Sequence, residues 1–316
     1  MKISVLISTY NEEKHIENCL TSLKNQTYKN FEIVVCDAYS KDRTTEIAKK
    51  YADKIIFVKK TMIGIQKNAG VKACKGDYVV LSDADCTHPK DWIARIAGFL
   101  KKHPETDVYG GIDIPRKNDP LFERCVFAFD SNDKTITDSF KAAWRLRGCN
   151  IVYRKKSFLA LGGYDKELSG SEEPELHTRM AKKGYDLYFD KTLFVYHRRR
   201  SNIKDLFKQM FRNGVSSGKI FRKRSDMFRY YDFMSIGYVF YLIFSLILLA
   251  IKPLLGLELI VLALLPMIYY SFKAMRKSRI MHFELMVPII FTKAFAYGLG
   301  IIYGFTGFKL TQGIKF

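Results

Sequence analysis

Residues 66–85 read QKNAGVKACKGDYVVLSDAD, and this stretch decides the fold. Its first part predicts a helix over 66–73, which the glycine of Lys75-Gly76 can end. The apolar run 78–82 then predicts a strand that leads directly into Asp83-Ala84-Asp85. Two carboxylates separated by one residue can bind a hard divalent cation and leave coordination positions open for phosphate oxygens. Acidic loops also produce such pairs, so the preceding strand is what makes this pair a candidate site.

The sequence around this stretch alternates strands with helices. Apolar runs at 3–8, 31–35 and 55–58 predict strands, separated by segments of helical periodicity. The pattern predicts an α/β fold with a mostly parallel sheet and helices on both faces. Because ligands of such sheets bind at the carboxyl ends of the strands, the polar residues there are candidates for a site. They are Thr9, Tyr10, Asn11, Glu12, Asp37, Asp83 and Asp85.

Beyond residue 231 the composition changes to three long apolar segments, 233–251, 253–272 and 285–308. Each is long enough to cross a hydrocarbon core of about 30 Å as a helix, and three successive runs of this length disfavour the alternative of buried core helices. Basic residues flank the first segment and separate the second from the third, which predicts that both flanks are cytosolic and that the chain ends on the opposite side. The sequence thus predicts an integral protein of the cytoplasmic membrane with its soluble part in the cytosol.

Two charged residues, Glu258 and Lys293, fall inside these apolar segments. Charges within a membrane are candidates for function, and Lys293 would then meet a lipid phosphate. Snorkelling to the membrane surface without a ligand is the alternative.

The segment 201–232 lies between the soluble part and the first apolar run. It carries one apolar helical face, formed by Ile203, Leu206, Phe207, Met210 and Phe211. A helix lying on a membrane surface has this pattern, and so does a helix packed on the soluble domain. The chain is therefore expected to divide into a soluble domain at 1–200, amphipathic helices at 201–232 and a membrane domain of three helices at 233–316.

The formal net charge of +20 indicates an anionic partner, either nucleic acid or an anionic membrane face. Basic residues cluster beside the apolar segments, at 222–224 and 273–279, which favours the membrane and predicts no nucleic-acid partner. All six cysteines lie in the first half without a C-x-x-C pair. That arrangement predicts free thiols and disfavours zinc.

Five motifs occur in an order that resembles the family-two inverting glycosyltransferases with the type A (GT-A) fold, a Rossmann-like fold of nucleotide-diphospho-sugar transferases. They are SVLISTYNEE at 4–13, VVCDAYSKD at 34–42, QKNAGVKACKGDYVVLSDAD at 66–85, RGCNIVYRKKSFLALGGYD at 147–165 and SEEPELHTRMAKKGY at 171–185. The resemblance covers about residues 1–200, and five ordered motifs are far more specific than one. It implies a nucleotide-diphosphate sugar as donor and Mn²⁺ or Mg²⁺ as cofactor.

The resemblance implies a role for each matching residue at the nucleotide end of the site. Thr9, Tyr10 and Glu12 would line the base pocket, with Tyr10 against the base ring. Asp37 would hydrogen-bond the base, although Ala38 stands where many relatives have a second acid. Lys67 would meet the diphosphate, where the family more often has arginine.

At the sugar end, the resemblance implies that Asp83 faces the ribose or the metal and that Asp85 ligates the metal. Asn150, together with Gly148 and Cys149, would form part of the sugar and acceptor pocket. His197, at a predicted strand end, is either a third metal ligand or a structural histidine.

The acidic motif EEPE at 172–175 matches the base motif of the family, with Glu173 at the position of the base. A helix that begins here would run to Lys183, with Gly184 as its stop. A carboxylate near a helix start is favoured in its ionised form, so Glu173 can take the proton of an attacking hydroxyl. The alternative is that these acids only complement the helix dipole, but the resemblance favours the base.

Gln209 and Arg212 resemble the Q-x-x-R-W element of processive polysaccharide synthases. Asn213 replaces the tryptophan of that element, which argues against a processive polymerase.

Together these features predict an inverting hexosyltransferase that uses a UDP- or GDP-linked donor and a lipid-linked acceptor at the membrane surface. Glu173 favours a hydroxyl of a lipid-linked glycan or glycolipid, because a hydroxyl needs a base. A dolichyl or undecaprenyl phosphate is already ionised and remains an alternative acceptor. A membrane-tethered nucleotide-sugar-binding protein without catalysis is a further alternative, and the intact acidic motif argues against it.

Overall fold

A computed structural model describes residues 1–128, 138–143, 146–168, 170–227 and 229–307. Their contacts divide them into two compact units. The first comprises the described residues within 1–117, 132–168 and 172–198, and the second comprises those within 118–131, 169–171 and 199–316. Residues 118–128, which fall within the expected soluble domain at 1–200, group by their contacts with the second unit.

In the first unit, eight strands of the described chain form one sheet in the order β3-β2-β1-β4-β7-β6-β8-β5. Their bounds are β1 (Ile3–Thr9), β2 (Phe31–Asp37), β3 (Lys54–Phe57), β4 (Tyr78–Asp83), β5 (Cys86–Thr87), β6 (Val108–Ile114), β7 (Ile151–Arg154) and β8 (Leu187–His197). The pairs among β1 to β4 are parallel, as is β6 with β8, and β7 and β5 pair antiparallel with their neighbours. The predicted mostly parallel sheet is confirmed.

Helices cover both faces of this sheet because its strands are apolar on both sides. Ile3, Val5 and Ile7 of β1 belong to one hydrophobic core, whereas Leu6 belongs to the core on the opposite face. This is the pattern of a doubly covered sheet. The helices of this unit are α1 (Ile16–Lys24), α2 (Thr44–Lys49), α3 (Ile63–Ala73), α4 (Trp92–Lys102), α6 (Ser139–Ala143), α7 (Lys155–Ala160) and α8 (Glu172–Lys182). Gly184 has φ +78° just beyond α8, which confirms its predicted role as a helix stop.

The second unit is helical among its described residues. It contains α5 (Leu121–Ala128), α9 (Ile203–Lys223), a 3₁₀ turn at Ser225–Met227, α10 (Tyr230–Ile251), α11 (Pro253–Ser278) and α12 (Phe283–Thr306). The last three helices are long and apolar enough to cross a membrane. The α5 helix groups here because Cys125, Val126 and Ala128 pack into one apolar cluster with residues of α9, α11 and α12.

The amphipathic helix α9 packs against α12. A Cβ added at Gly214 or Gly218 of α9 would collide with the backbone of α12, and one added at Gly300 or Gly304 would collide with α9. Each helix therefore carries two glycines four residues apart that let the two backbones approach closely. Sequence analysis offered a membrane surface or the soluble domain as the partner of this helix. The structure gives α9 a packing partner in α12, through a buried stripe that includes Gly214, Ser217 and Gly218.

Candidate active site

The loops after β1 and β2 hold each other through polar side chains. Thr9 donates its hydroxyl to Oδ2 of Asp37 at 2.8 Å, and the backbone N–H of Ser40 donates to Oδ1 of Asp37 at 2.7 Å. Asp37 is fully buried. The structure thus brings Thr9 and Asp37 together at the strand ends, with both oxygens of the carboxylate already accepting hydrogen bonds from the chain.

Tyr10 and Glu12 lie half-buried in the first of these loops. The ammonium group of Lys60 lies 3.7 Å from the centroid of the Tyr10 ring, a cation–π contact. The backbone N–H of Glu12 donates to the hydroxyl of Thr44 at 2.7 Å. Lys60 escaped sequence analysis because it lies outside the predicted elements, and it adds a positive charge beside the ring expected to meet the base.

Asp83, Asp85 and His197 form a cluster, which we call the metal-candidate cluster. One oxygen from each carboxylate and one imidazole nitrogen lie within 4.8 Å of one another. Pairing of β5 with β8 sets Cys86 opposite His197, which carries the histidine to the acids. The distance from His197 Nε2 to Asp85 Oδ1 is 3.3 Å.

Asp113 supports this cluster from β6. The Nδ1 of His197 lies 3.0 Å from Asp113 Oδ2, and Asp113 is buried. With Nδ1–H donating to Asp113, the opposite nitrogen is directed at Asp85, an arrangement common behind metal-binding histidines. Burial opposes protonation of His197, but Asp85 and Asp113 among its neighbours outweigh that effect and hold the imidazole pKa well above its usual value. Sequence analysis missed Asp113, whose single signal is an acid within an otherwise apolar strand.

The donors of the metal-candidate cluster fit a hard divalent cation. Two carboxylate oxygens suit Mg²⁺ or Mn²⁺, and an imidazole is compatible with Mn²⁺. Burial, together with the negative charge of Asp85, raises the pKa of Asp83 against the opposing effect of Lys67. A cation between the carboxylates would relieve that repulsion. Cys86 and Cys149 also approach His197, but burial raises the pKa of the Cys86 thiol well above its usual value, which disfavours it as a thiolate ligand.

Lys67, Glu172 and Glu173 form a second charged group, which we call the lysine–glutamate cluster. The Lys67 Nζ lies 2.7 Å from Glu173 Oε1 and 3.6 Å from Glu172 Oε1, and the lysine is buried. Burial opposes ionisation of Glu173, but the charge and hydrogen bond of Lys67 outweigh it and lower the pKa of the carboxyl. Glu175, the third acid of the motif, instead accepts two 2.8 Å hydrogen bonds from Arg179. Of the three acids at the start of α8, Glu175 thus has a structural partner, whereas Glu172 and Glu173 face Lys67.

The motif at 148–150 contributes space and structure. A Cβ at Gly148 would collide with the Oε1 of Glu173, so the glycine makes room for that carboxylate. Asn150 is fully buried. Its Oδ1 accepts from Trp92 at 3.0 Å, and its Nδ2 donates to the carbonyls of Ile112 and Leu193. The structure therefore brings Gly148 to Glu173 and places the Asn150 amide among structural partners.

A separate cavity lies in the second unit. It has a volume of about 270 Å³ and is lined by Arg200, Asp205, Lys208, Gln209 and Arg212. Three cations and one carboxylate give it a net positive lining, which suits an anionic group. The Q-x-x-R element found in the sequence thus lies in a polar cavity on α9.

Residues 4–162, half of the 316-residue chain, match the sequence profile described as glycosyl transferase family 2. The chain belongs to glycosyl transferase family 2. This glycosyltransferase is 29% identical over 238 residues to the succinoglycan biosynthesis protein ExoA of Rhizobium meliloti, with 71% of each chain covered. It is 26% identical over 242 residues to the dolichyl N-acetyl-alpha-D-glucosaminyl phosphate 3-beta-D-2,3-diacetamido-2,3-dideoxy-beta-D-glucuronosyltransferase of Methanococcus voltae, covering 70% of this chain and 74% of that protein.

Solved structures show the same fold. The mannosyltransferase PcManGT from Pyrobaculum calidifontis, in complex with GDP-Man and Mn²⁺, superposes with a TM-score of 0.55 at 20% identity over 70% of this chain. TarS 1-349 of S. aureus, in complex with UDP-GlcNAc, gives 0.52 at 22% identity over 68%. The matches span 63% and 66% of those chains, less than two thirds of either. The predicted GT-A fold is confirmed for this member of glycosyl transferase family 2.

Proposed function

We propose that this glycosyltransferase moves a hexose, with inversion, from a UDP- or GDP-linked donor to a hydroxyl of a lipid-linked glycan or glycolipid at the cytosolic membrane surface. The observation that carries the proposal is the pairing of Glu173 with Lys67 in the unit that also holds Asp83, Asp85 and His197. The lysine–glutamate cluster offers an ionised carboxylate. The metal-candidate cluster offers ligands for a cation that would bind a diphosphate.

At the donor end, Tyr10 with Thr9 and Glu12 is the proposed base pocket, and Lys67 is the proposed diphosphate contact. Asp83, Asp85 and His197 would hold Mn²⁺ or Mg²⁺. When bound there, the cation would neutralise charge on the departing nucleoside diphosphate. The complex of PcManGT with GDP-Man and Mn²⁺ supports this assignment.

Glu173 is the proposed base. It would accept the proton of the acceptor hydroxyl while that oxygen bonds to the anomeric carbon and the bond from this carbon to the diphosphate oxygen breaks. Attack on the face opposite the leaving group inverts the centre. In the structure Lys67 keeps Glu173 ionised, and a diphosphate that draws the lysine away would leave a buried, more basic carboxylate. Such a rise in pKa improves a general base that works near neutral pH.

Two observations support a lipid-linked acceptor. Three helices of the second unit are apolar and long enough to cross a membrane, and the α9 cavity is lined by cations that suit a phosphate. The name of the Methanococcus voltae relative includes a dolichyl-linked sugar phosphate. The same cavity would suit a polyprenyl phosphate, an alternative acceptor that needs no base. An experiment must therefore distinguish this acceptor from a hydroxyl acceptor.

The test uses the purified full chain in nanodiscs with Mn²⁺, labelled UDP- and GDP-hexoses, and two acceptors: a glycosylated polyprenyl diphosphate and a polyprenyl phosphate. We expect transfer to the first acceptor, a loss of about 10³-fold in kcat for Glu173→Gln, and unchanged donor binding. Asp85→Ala should abolish Mn²⁺-dependent transfer. Glu167→Gln, on an exposed loop, is the matched control.

The outcomes separate the candidates. Full activity of Glu173→Gln on the hydroxyl acceptor contradicts the base assignment. Transfer to the polyprenyl phosphate alone, insensitive to Glu173→Gln, favours the phosphate acceptor. Donor binding without transfer to either acceptor would favour the non-catalytic alternative.

A further inference from the structure

The helices α10 and α11 form an antiparallel hairpin. The contacts between them show which residues of the two helices lie opposite one another. The hydroxyl of Tyr241 donates to the carbonyl of Leu259 at 2.9 Å, and that of Tyr238 reaches the carbonyl of Ala263. A Cβ at Gly256 would meet the backbone of Leu249 close to the turn. The start of α10 and the end of α11 therefore lie at one end, which we call the base of the hairpin, and Lys252-Pro253 lies at its tip.

The first turn of α12 lies at this base. Its Phe283 ring is 5.2 Å from the ring of Phe272, six residues before the end of α11. The remaining question is where the other end of α12 lies. At 1.5 Å per residue its 24 residues extend about 36 Å, so a helix running alongside the hairpin would end beside the tip.

The second half of α12 instead stays at the base. Phe291, in the first half of α12, lies 6.2 Å from Tyr238 in the third turn of α10, whereas a Cβ at Gly298, in the second half, would collide with the carbonyl of Ser235 in the second turn of α10. Near the C-terminal end of α12, Phe305 contacts Phe221 of α9 at 5.3 Å. The same Phe221 contacts Phe233 in the first turn of α10, with 6.4 Å between ring centroids. The two ends of α12 thus lie at the same level, and α12 crosses the base of the hairpin.

The α10–α11 hairpin and α12 differ in how many of their large apolar side chains are exposed. Large exposed side chains cover the hairpin along its whole length, from Phe233 and Phe272 near the base to Phe244, Ile247, Leu254 and Leu257 near the tip. Among the described residues of α12, Phe305 is the one large hydrophobic side chain that is exposed. Within the most apolar window of each helix, 11% of α10 and 22% of α11 is buried, against 44% of α12. The hairpin therefore presents the surface that lipid chains would cover.

The position of Lys293 is a further, independent observation. It stands at the middle of α12, where a spanning helix would hold its charge near the bilayer centre, which is unfavourable. In a helix that lies along the membrane surface, the same residue is at the depth of the headgroups. Glu258 of α11 lies close to the tip, so it reaches the opposite surface.

We propose that the α10–α11 hairpin alone crosses the bilayer, and that α12 and α9 lie side by side along the membrane surface at its base. The cations of α9 and those at 273–279 then face anionic headgroups. The chain crosses twice, so residues after α12 lie on the same side as the first unit. The expected three-span arrangement puts them on the opposite side. This inference concerns topology and is independent of the proposed reaction.

Single introduced cysteines test it in the full chain. All six native cysteines are buried, so an exposed new thiol reacts selectively. We would prepare Lys252→Cys, Met281→Cys and a chain with one cysteine added after Phe316, and treat intact bacterial cells and inside-out vesicles with a membrane-impermeant maleimide. Met281, exposed between α11 and α12, is the control because both arrangements put it on the same side of the membrane as the chain that precedes α10.

We expect Lys252→Cys to react in intact cells, and Met281→Cys and the added C-terminal cysteine to react in inside-out vesicles. Reaction of the C-terminal cysteine in intact cells, together with Lys252→Cys, would overturn the proposal in favour of three spans. Protection of Lys252→Cys from both sides would overturn the crossing of the hairpin.

Discussion

The two charged clusters of the first unit contain similar residues but differ in where their cation comes from. In the lysine–glutamate cluster, the chain supplies Lys67, and the pKa of Glu173 is lowered despite its burial. In the metal-candidate cluster, burial and the negative charge of Asp85 raise the pKa of Asp83, although Lys67 and His197 oppose this rise. This difference agrees with the proposed roles of Glu173 as a base and of the metal-candidate cluster as a cation site.

Replacing Lys67 by methionine should have the largest effect, because it removes the built-in cation and erases the difference between the clusters. Breaking a buried pair costs about 3–5 kcal/mol, since the remaining charge is left uncompensated. We expect the midpoint of thermal unfolding in detergent to fall by roughly 10 °C at pH 7. Activity should fall by more than about 10²-fold.

The pH dependence of this loss sharpens the comparison. In the native chain the lowered pKa of Glu173 gives stability that is present above the ordinary glutamate pKa and lost as pH falls through the lowered value. Without Lys67, burial would raise this pKa, and the variant would lose stability as pH rises through it. The gap in unfolding midpoint between the two proteins should therefore widen from pH 5 to pH 7. A constant gap would contradict the role of Lys67 as counter-charge.

Gly148→Ala should have the next largest effect, because its methyl group displaces Glu173 while leaving every charge in place. A misplacement of about 1 Å can cost about 10²-fold in rate, and we expect a loss of this size in kcat with a hydroxyl acceptor. Gly98→Ala in α4 is the matched control, since an added Cβ there meets nothing within 4 Å. Equal kcat for both variants would show that the position of Glu173 does not matter.

Asp113→Asn tests the other cluster through its supporting carboxylate. Loss of the charge behind His197 should weaken Mn²⁺ binding by about 10–100-fold. Isothermal titration would measure the affinity, and kcat at saturating Mn²⁺ should be retained. A variant that binds Mn²⁺ normally but has lost kcat would contradict a positioning role for Asp113.

Lys67→Arg should have the smallest effect, because it keeps the cation of the lysine–glutamate cluster. We expect kcat/KM to change by less than about tenfold, although the wider guanidinium must fit where the ammonium now meets two carboxylates. A loss as large as that of the methionine variant would mean that shape matters more than charge at this position.

Much of the first unit was predictable from sequence because its signals are local. Strand runs that end in Thr9, Asp37 and Asp83 place these residues at one edge of a parallel sheet, and the glycine at 184 ends α8 as expected. The pairing of Lys67 with Glu173 was beyond reach, since the resemblance assigned each a separate partner. A sequence pattern also does not show which side chains are buried or what they contact. The amide of Asn150, for example, is hydrogen-bonded to Trp92 and to two carbonyls.

The second unit was harder to predict because the length and hydropathy of an apolar helix do not show in which direction it runs relative to its neighbours. The apolar segment 285–308 satisfies the requirements of a span, yet its contacts at both ends lie at the base of the α10–α11 hairpin. The glycine pairs of α9 and α12 can be recognised in the sequence. Their meaning depends on which helix faces which, and a sequence does not state that.

The register of β5 with β8 has a consequence for the order of synthesis. Asp83 and Asp85 leave the ribosome early, but His197 is made more than a hundred residues later, at the end of β8. A nascent chain can therefore assemble the metal-candidate cluster only when β8, which carries His197, has joined the sheet. The first apolar helix begins at Tyr230, soon after. The cluster is thus complete only when the described residues of the first unit, up to residue 198, have all been synthesised.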